Sequence, residues 1–175
     1  MNIPTIATSY LTLRSFRPED APALHAILSE KDILQYFPST QTPTLDQTQK
    51  FITHQLEHWK EQNFGWWAVT HRHTRTLIGW NGLQYLPETD EIEIAYLLSK
   101  AYWGKGLATE GALAGLQYGF EELQLDAIVG IVHPGNVASQ KVLKKCGLTF
   151  TREDEYFGMK AYRYEIEAFA FNKRK

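Results

Sequence analysis

Residues 101–110, AYWGKGLATE, place Gly104 and Gly106 around Lys105 directly before a run of helix-forming residues. Glycine costs a helix about 1 kcal/mol relative to alanine, so this placement needs a physical reason. Backbone N–H groups left uncovered by glycine, next to the positive end of a helix, can bind an anion such as a phosphate. An ordinary junction between loop and helix is the alternative. The segment matches neither the nucleotide pattern G-x-x-x-x-G-K-[ST] nor the dinucleotide pattern G-x-G-x-x-G.

The strand-like segment before this turn carries two carboxylates. In residues 91–99, EIEIAYLLS, Glu91 and Glu93 alternate with apolar side chains. A carboxylate at position 93 could act as a general base if burial raised its pKa. The alternative is that both glutamates form the solvent-exposed face of a strand. The two interpretations differ in whether the face that carries Glu93 is covered.

A second polar segment, HPGNVAS, begins at His133 and leads from a short apolar strand into a helix. Asn136 suits the N-cap of that helix, and Ser139 lies three residues later. His133 could be catalytic, although a histidine with satisfied hydrogen bonds at a strand end is the simpler interpretation. Glu110, in the first turn of the preceding helix, is explained by complementation of the helix dipole.

The hydrophobic pattern predicts an α/β (α+β) chain around one mixed sheet. Its three central strands form an antiparallel meander, because only short polar joints separate them. Three glycines at four-residue spacing in the helix after the turn predict close approach of that helix to the sheet. The predicted strands are 10–16, 63–72, 74–86, 91–99, 127–132, 148–156 and 160–169. The predicted helices are 17–30, 32–37, 45–62, 106–125 and 136–145.

Length and composition restrict the class of protein. A chain of 175 residues with 43% hydrophobic residues and a net charge of −2 predicts one globular domain over 1–175. The mild charge does not favour nucleic acid as a partner. The single cysteine, Cys146, permits no intrachain disulfide and no cysteine-based zinc site, and is predicted to pack as a small hydrophobe. The absence of a signal peptide or a membrane-length apolar run predicts a cytoplasmic protein without membrane contact.

Three motifs together carry a resemblance to a known family. They are E-I-x-Y from Glu93, Y-W-G-K-G-x-A-T-E from Tyr102, and N-x-A-S-x-x-V-L-x-K-x-G from Asn136. With these motifs the chain resembles the GNAT superfamily of acyl-CoA-dependent N-acyltransferases, and more narrowly the RimJ/RimL type that acetylates ribosomal-protein N-termini. The resemblance covers nearly the whole sequence. It implies a mostly antiparallel mixed sheet flanked by helices, with a V-shaped cleft between the fourth and fifth strands.

The resemblance also implies a binding site for the co-substrate acetyl-CoA, and no metal. The turn would hold the pyrophosphate through backbone amides, Asn136 would bind the pantetheine arm, and Ser139 would hydrogen-bond the thiol. Trp103 stands where the family usually has glutamine or arginine, which leaves the main-chain contact intact. The backbone of the preceding strand would pair with pantetheine. The implied cofactor-binding residues are Tyr96, Leu97, Leu98, Trp103, Gly104, Lys105, Gly106, Leu107, Ala108, Thr109, Asn136 and Ser139.

For catalysis, Glu93 is the first choice as base, acting directly or through water. Many relatives carry a tyrosine acid at the position of Leu143, so Ser139 is the nearest substitute here. A backbone N–H near Leu98 would stabilise the oxyanion. The acceptor would be a primary amine, either a protein N-terminus or a small molecule, in a cleft among the first helices. The aromatic residues of this region, Tyr36, Phe37, Trp59, Trp66, Trp67 and Trp80, fit a core as well as a substrate site.

Two other functions stay open at this point. The Leu143 and Trp103 departures are compatible with a catalytically weak CoA-binding regulatory domain. A domain that binds nucleotide phosphates without CoA would also use the glycine turn, but it leaves Asn136 and Ser139 without a role. By analogy with this type of sheet, a homodimer is possible.

Overall fold

The computed structural model describes residues 3–173, and its described strands form one eight-stranded sheet in the order β1-β2-β3-β4-β5-β6-β8-β7. The β5–β6 pair is parallel and every other pair is antiparallel. The strands are β1 (Ile6–Ala7), β2 (Leu11–Arg14), β3 (Trp66–His71), β4 (Leu77–Leu86), β5 (Glu91–Leu98), β6 (Ala127–Val132), β7 (Thr149–Tyr156) and β8 (Met159–Glu167).

Helices flank both faces of this sheet. They are α1 (Ala21–Leu28), α2 (Leu45–Gln62), α3 (Leu107–Glu121), α4 (Val137–Cys146) and α5 (Ala168–Asn172), with short 3₁₀ turns at Pro18–Asp20 and Lys100–Tyr102. The α1 and α2 helices cover one hydrophobic cluster, and α3 and α4 cover another. Leu97 and Leu98 are neighbours in β5 and belong to different clusters, as alternation along a strand requires. The expected mixed, mostly antiparallel fold is confirmed.

The three glycines of α3 allow the helix to lie close to the sheet. A Cβ at Gly115 would lie 2.7 Å from Ile94 Cδ1, and one at Gly119 would lie 2.6 Å from Ile128 Cδ1. At Gly111 a Cβ would lie 3.2 Å from the amide nitrogen of Asn81. Side chains at these positions would require the helix, or the side chains of β4, β5 and β6 that it contacts, to move. The predicted close approach is therefore confirmed.

Some predicted elements differ from the structure. Residues 32–37 form turns and no helix, because Asp32 has a φ of +57° and the local hydrogen bonds span three residues, as in Phe37 N–H to Leu34 C=O. The two-residue β1 was not predicted. The strand predicted over 160–169 is wrong at its end, because β8 stops at Glu167 and Ala168 begins the five-residue α5. Because β1 precedes them, the expected fourth and fifth strands are β5 and β6. Within residues 3–173, no helix is both long and apolar enough to cross a bilayer.

Candidate active site

The cleft begins where β5 and β6 separate. Among the described residues, the parallel ladder between them contains one pair of partners, Glu93 with Val129. The Ser99 N–H donates a hydrogen bond to the Ile78 carbonyl on β4. Alternation therefore directs the backbone polar groups of Ile94, Tyr96 and Leu98 to the β6 side. Beyond Glu93 these groups face the gap between the two strands, and this gap is the V-shaped cleft that the sequence predicts.

Glu93 lies at the vertex of this cleft and is 4% exposed. Its Oε2 accepts a hydrogen bond from Gln84 Nε2 at 2.6 Å, and its Oε1 accepts one from the Ile131 N–H at 3.2 Å. Burial raises the pKa of Glu93 from 4.5 to about 7, against the lowering effect of these two hydrogen bonds. The alternative of a solvent-exposed Glu93 is therefore wrong, because Gln84 and β6 cover the carboxylate.

The same carboxylate explains why the strands separate at this point. In a continuing parallel ladder, the Ile131 N–H would bind a backbone carbonyl of β5. It binds the Glu93 side chain instead. The side chain thus takes the place of the next strand, satisfies the Ile131 N–H, and leaves the backbone of β5 beyond Ile94 unpaired with β6.

Glu91 lies two residues away on the same face and has a different environment. Arg163 forms an ion pair with it at 2.6 Å, and the Tyr156 hydroxyl donates to it at 3.1 Å. Burial alone would raise the pKa of Glu91, but hydrogen bonds from Thr89, Arg163 and Tyr156 outweigh it and lower the pKa. The two carboxylates are therefore distinct: Glu91 stays ionised, and Glu93 can exchange a proton near neutral pH.

The glycine turn exposes its backbone as the sequence predicts. Gly104 has a φ of +71° and Gly106 a φ of +79°, and a Cβ at either would meet no atom within 4 Å. Positive φ is the reason for glycine at both positions. Leu107 begins α3 and is buried, and Ala108 and Thr109 are half-buried beneath the turn. The turn therefore presents an open backbone at the N-terminus of a fifteen-residue helix, a geometry that suits a pyrophosphate.

Two aromatic residues and a lysine shape this turn. Trp103 is 50% exposed, and its Nε1 donates to the Leu98 carbonyl at 2.7 Å. The bond ties the turn to the end of β5, a role that sequence reasoning did not assign to Trp103. Lys105 folds back so that its Nζ donates to the Ala101 carbonyl and lies 5.3 Å from the centre of the Tyr102 ring.

Contacts from two other segments hold the turn in place. Glu30, after α1, accepts a hydrogen bond from the Lys100 N–H at 2.8 Å. Glu110, in the first turn of α3, accepts hydrogen bonds from the Thr8 hydroxyl and from the Tyr10 N–H. Glu110 thus fastens the β1–β2 connection to the helix that the turn begins, in addition to lying at the positive end of its dipole.

The opposite wall of the cleft is the start of α4. Asn136 is the N-cap, since its Oδ1 accepts a hydrogen bond from the Ser139 N–H at 3.1 Å. The Ser139 hydroxyl lies 2.9 Å from the Tyr96 hydroxyl of β5. Leu143, at the position of the family tyrosine, is 2% exposed and packs in the core. His133 Nδ1 accepts from the Gly135 N–H at 3.0 Å, which agrees with the structural interpretation of this histidine.

The sheet face that carries Glu93 continues into aromatic residues below α1 and α2. The Trp66 and Trp80 rings are stacked with centroids 4.0 Å apart, and Phe37 packs edge-on against Trp80 at 6.0 Å. Tyr36 stacks on His133 at 5.2 Å. Trp59 and Trp67 lie instead in the cluster below α3 and are 2% and 0% exposed. Of the predicted aromatic set, Tyr36, Phe37 and Trp66 remain half-buried.

Sequence reasoning missed the partners of these groups. The β4–β5 hairpin pairs Leu86 with Glu91, so counting back from the turn pairs Gln84 with Glu93. That signal was available in the sequence. The Tyr96 hydroxyl and Arg163 carried no comparable signal, because their partners come from α4 and from β5 across the sheet.

These residues fit an acyl-CoA thioester. The open turn suits a pyrophosphate, and the free edge of β5 suits a chain of amides. Glu93 lies at the vertex of the gap between β5 and β6, and Ser139 lies on the wall that α4 forms. Comparison with known proteins agrees with this geometry. Residues 10–149 match the acetyltransferase (GNAT) domain family. The chain is 29% identical over 175 residues to the uncharacterized N-acetyltransferase p20 of Bacillus licheniformis, covering 98% of this chain and 97% of p20.

Solved structures share the fold. A GNAT-family acetyltransferase from Bacillus anthracis superposes with a TM-score of 0.83 at 25% identity, covering 95% of this chain and 99% of that one. RimL, the ribosomal L7/L12 alpha-N-protein acetyltransferase solved with coenzyme A, superposes with a TM-score of 0.81 at 17% identity, covering 94% and 98%. At that identity the second likeness concerns the fold alone. With the family match over most of its length, this chain belongs to the GNAT family of acetyltransferases and is an acyltransferase.

Proposed function

We propose that this protein is an acetyl-CoA-dependent N-acetyltransferase, in which a primary amine attacks the thioester directly in a ternary complex. The observation that carries the proposal is the buried Glu93 at the vertex of the cleft, with a pKa raised to about 7. A general base works best when its pKa lies near the working pH. Glu93 meets this requirement at the point where the acetyl group would lie between β5 and β6.

Each group of residues has a separate role in this reaction. Acetyl-CoA supplies an activated acyl thioester, and the backbone of residues 103–108 and the free edge of β5 hold it. Glu93 accepts the proton of the attacking amine, directly or through water, on a lone pair that Gln84 and Ile131 leave free. A backbone N–H on the cleft side of β5 between Glu93 and the turn, that of Tyr96 or of Leu98, stabilises the oxyanion, and the water relay to Glu93 covers the distance along the strand. Ser139 hydrogen-bonds the leaving sulfur, and the amide nitrogen of Asn136 is available to pantetheine because its oxygen caps α4.

The acceptor enters on the face that carries Glu93, between the sheet and the segment that joins α1 to α2. Glu91 and Glu165 flank Arg163 on this face, so its side chains carry a net negative charge that favours a protonated amine in the encounter. The resemblance of the three sequence motifs to the RimJ/RimL type supports a protein N-terminus as acceptor. A small amine remains the other acceptor class, and the experiment below separates the two.

A CoA-binding domain without turnover is not favoured, because of the nature of residue 93. A glutamine there could make both hydrogen bonds with Gln84 and Ile131 at no cost of charge burial. The glutamate titrates near neutral pH and, above its pKa, keeps a buried charge whose partners within residues 3–173 are the neutral Gln84 amide and the Ile131 N–H. Such a group weakens the fold at the pH of the cell, and proton transfer is the function that explains its presence.

The test begins with calorimetric titration of acetyl-CoA, with ATP as the control ligand. We expect acetyl-CoA to bind and ATP to bind far more weakly. Release of the CoA thiol is then measured with peptides that begin with serine or alanine, and with small amines such as spermidine. Glu93→Gln should lose at least about a hundredfold in turnover, and Glu153→Gln, at an exposed ion pair on β7, should keep wild-type turnover.

Each outcome separates the functions. Binding of acetyl-CoA with acetyl transfer to any amine supports the enzyme, and the more active acceptor class identifies the substrate. Binding without transfer to any amine tested would support the CoA-binding domain. Equal binding of ATP and acetyl-CoA would favour a nucleotide-phosphate site, and no binding of either would contradict all three.

A further inference from the structure

The Tyr96 hydroxyl is a buried polar group that the proposed mechanism does not use. It lies 2.9 Å from Ser139 Oγ and 3.3 Å from the Ser139 carbonyl oxygen. Tyr96 pairs with Asn81 in the β4–β5 ladder, and its ring packs against the cluster below α3 and α4. Ser139 belongs to the first turn of α4, after β6. The hydrogen bond therefore joins the two walls of the cleft.

Counting hydrogens shows what this contact does to Ser139. The serine hydroxyl has one proton and two lone pairs, and a phenol has one proton to give. When Tyr96 donates to Ser139 Oγ, the serine proton is free for a third atom, and the hydroxyl is held in one rotamer. Without the phenol, the Ser139 hydroxyl can turn to any acceptor within reach, as serine side chains do in the first turn of a helix.

We propose that Tyr96 is a positioning residue that aims the Ser139 hydroxyl at the sulfur of CoA, and so replaces from β5 the tyrosine that is missing at Leu143. The inference rests on the proposed function. In the reaction, the amine nitrogen forms a bond to the acetyl carbon, the carbon–sulfur bond breaks, and the amine proton passes to Glu93. The sulfur leaves as a thiolate that accepts a hydrogen bond from Ser139 and takes its proton from solvent.

The surroundings of Tyr96 keep its proton in place. Burial raises the pKa of Tyr96, and the Ser139 hydrogen bond only partly opposes this. Electrostatic repulsion from Cys146 and Glu93 raises the pKa of the phenol further. Tyr96 thus remains a hydrogen-bond donor over the working pH range and does not itself become a phenolate. This separates its role from that of an acid that gives up its proton.

The test measures the thiol pKa of bound CoA, and needs no acceptor. The ultraviolet absorbance of the thiolate is followed against pH, and the complex with desulfo-CoA serves as the blank that removes the signals of Cys146 and of tyrosines. The variants are Tyr96→Phe, Ser139→Ala and the double variant. Tyr118→Phe is the matched control, because Tyr118 lies on α3 and its hydroxyl donates to the carbonyl of Asn63 at the end of α2, away from the cleft.

We expect the pKa of the bound thiol to lie about one unit below that of free CoA in the wild type and in Tyr118→Phe. Tyr96→Phe should return at least half of this difference, Ser139→Ala all of it, and the double variant no more than Ser139→Ala. The affinity for desulfo-CoA should stay within about twofold in all variants. With a confirmed acceptor, Tyr96→Phe should lower kcat and leave KM for acetyl-CoA nearly unchanged.

Three results would overturn the inference. A Tyr96→Phe thiol pKa equal to that of the wild type would show that the phenol does not act through Ser139. A loss of desulfo-CoA affinity with an unchanged thiol pKa would make the contact a structural tie between the walls. An additive double variant would make the two hydroxyls independent. Failure of the wild type to bind CoA at all would instead refute the proposed function itself.

Discussion

Replacing Glu93 by glutamine tests its burial separately from its chemistry. The carboxylate is 4% exposed, and its pKa rises from 4.5 to about 7 on folding. Glutamine keeps the shape and resembles the protonated acid, because the Gln84 amide can turn to present its oxygen. The variant therefore reports the cost of the buried charge with little change in packing.

The direction in which stability changes with pH follows from proton binding to Glu93. Between pH 4.5 and 7 the folded protein holds a proton on Glu93 that the unfolded chain releases, so the wild type loses stability as the pH rises through this range. From pH 5 to pH 8 the loss is about 2.5 kcal/mol relative to Glu93→Gln. For a chain of this length, that difference corresponds to roughly 5–10 °C in Tm.

The assay is thermal unfolding of both proteins from pH 5 to pH 8. We expect Glu93→Gln to gain on the wild type steadily as the pH rises, with the larger advantage at pH 8. The control Glu153→Gln removes an exposed carboxylate that pairs with Lys160, and should show no such trend. Parallel curves for Glu93→Gln and the wild type would refute the raised pKa, and with it the argument for Glu93 as base.

The remaining predictions concern binding and packing. Asn136→Asp should retain the cap of α4 and the stability of the fold but weaken acetyl-CoA binding about tenfold, whereas Asn136→Ala should also lose about 1 kcal/mol of folding free energy. Calorimetry measures the affinity and urea unfolding measures the stability. Equal acetyl-CoA affinity in the wild type and both variants would exclude a contact between Asn136 and acetyl-CoA. Trp103→Phe removes the hydrogen bond to the Leu98 carbonyl and should weaken acetyl-CoA binding several-fold in calorimetry. An unchanged affinity would show that this bond does not hold the turn in its binding conformation. Gly115→Ala should destabilise the fold by about 1–3 kcal/mol in urea, because its Cβ would lie 2.7 Å from Ile94 Cδ1, and wild-type stability would mean that the helix shifts freely.

The sequence predicts best where local signals agree. The α2 helix has the predicted bounds, Leu45–Gln62, because Thr44 and Gln47 form a capping box and Asn63 adopts the left-handed conformation that ends it. The hairpin between β7 and β8 likewise forms at Phe157 and Gly158, both at positive φ. In each case, the residues that determine the structure lie within a few positions of one another.

The prediction failed where a single residue or a partner distant in sequence determines the local structure. The 32–37 segment has helical composition, but Asp32 at positive φ breaks it, and contacts such as Tyr36 with His133 hold the turns in place. The β1 strand consists of two residues that pair with Leu13 and Thr12. An element this short has no hydrophobic period of its own, and only the neighbouring strand forms it.

Glu93 shows the same limit at the site itself. Alternation in EIEIAYLL correctly places Glu91 and Glu93 on one face, opposite Ile92 and Ile94, and such a face usually meets water. What covers Glu93 is Gln84 from β4 and the Ile131 N–H from β6, a strand that begins 29 residues after β5 ends. The burial that raises its pKa comes from these contacts with two other strands, which no periodicity within β5 encodes. A polar residue in the middle of a strand that leads into a glycine turn should therefore be examined as a candidate buried base, since both features line the same cleft.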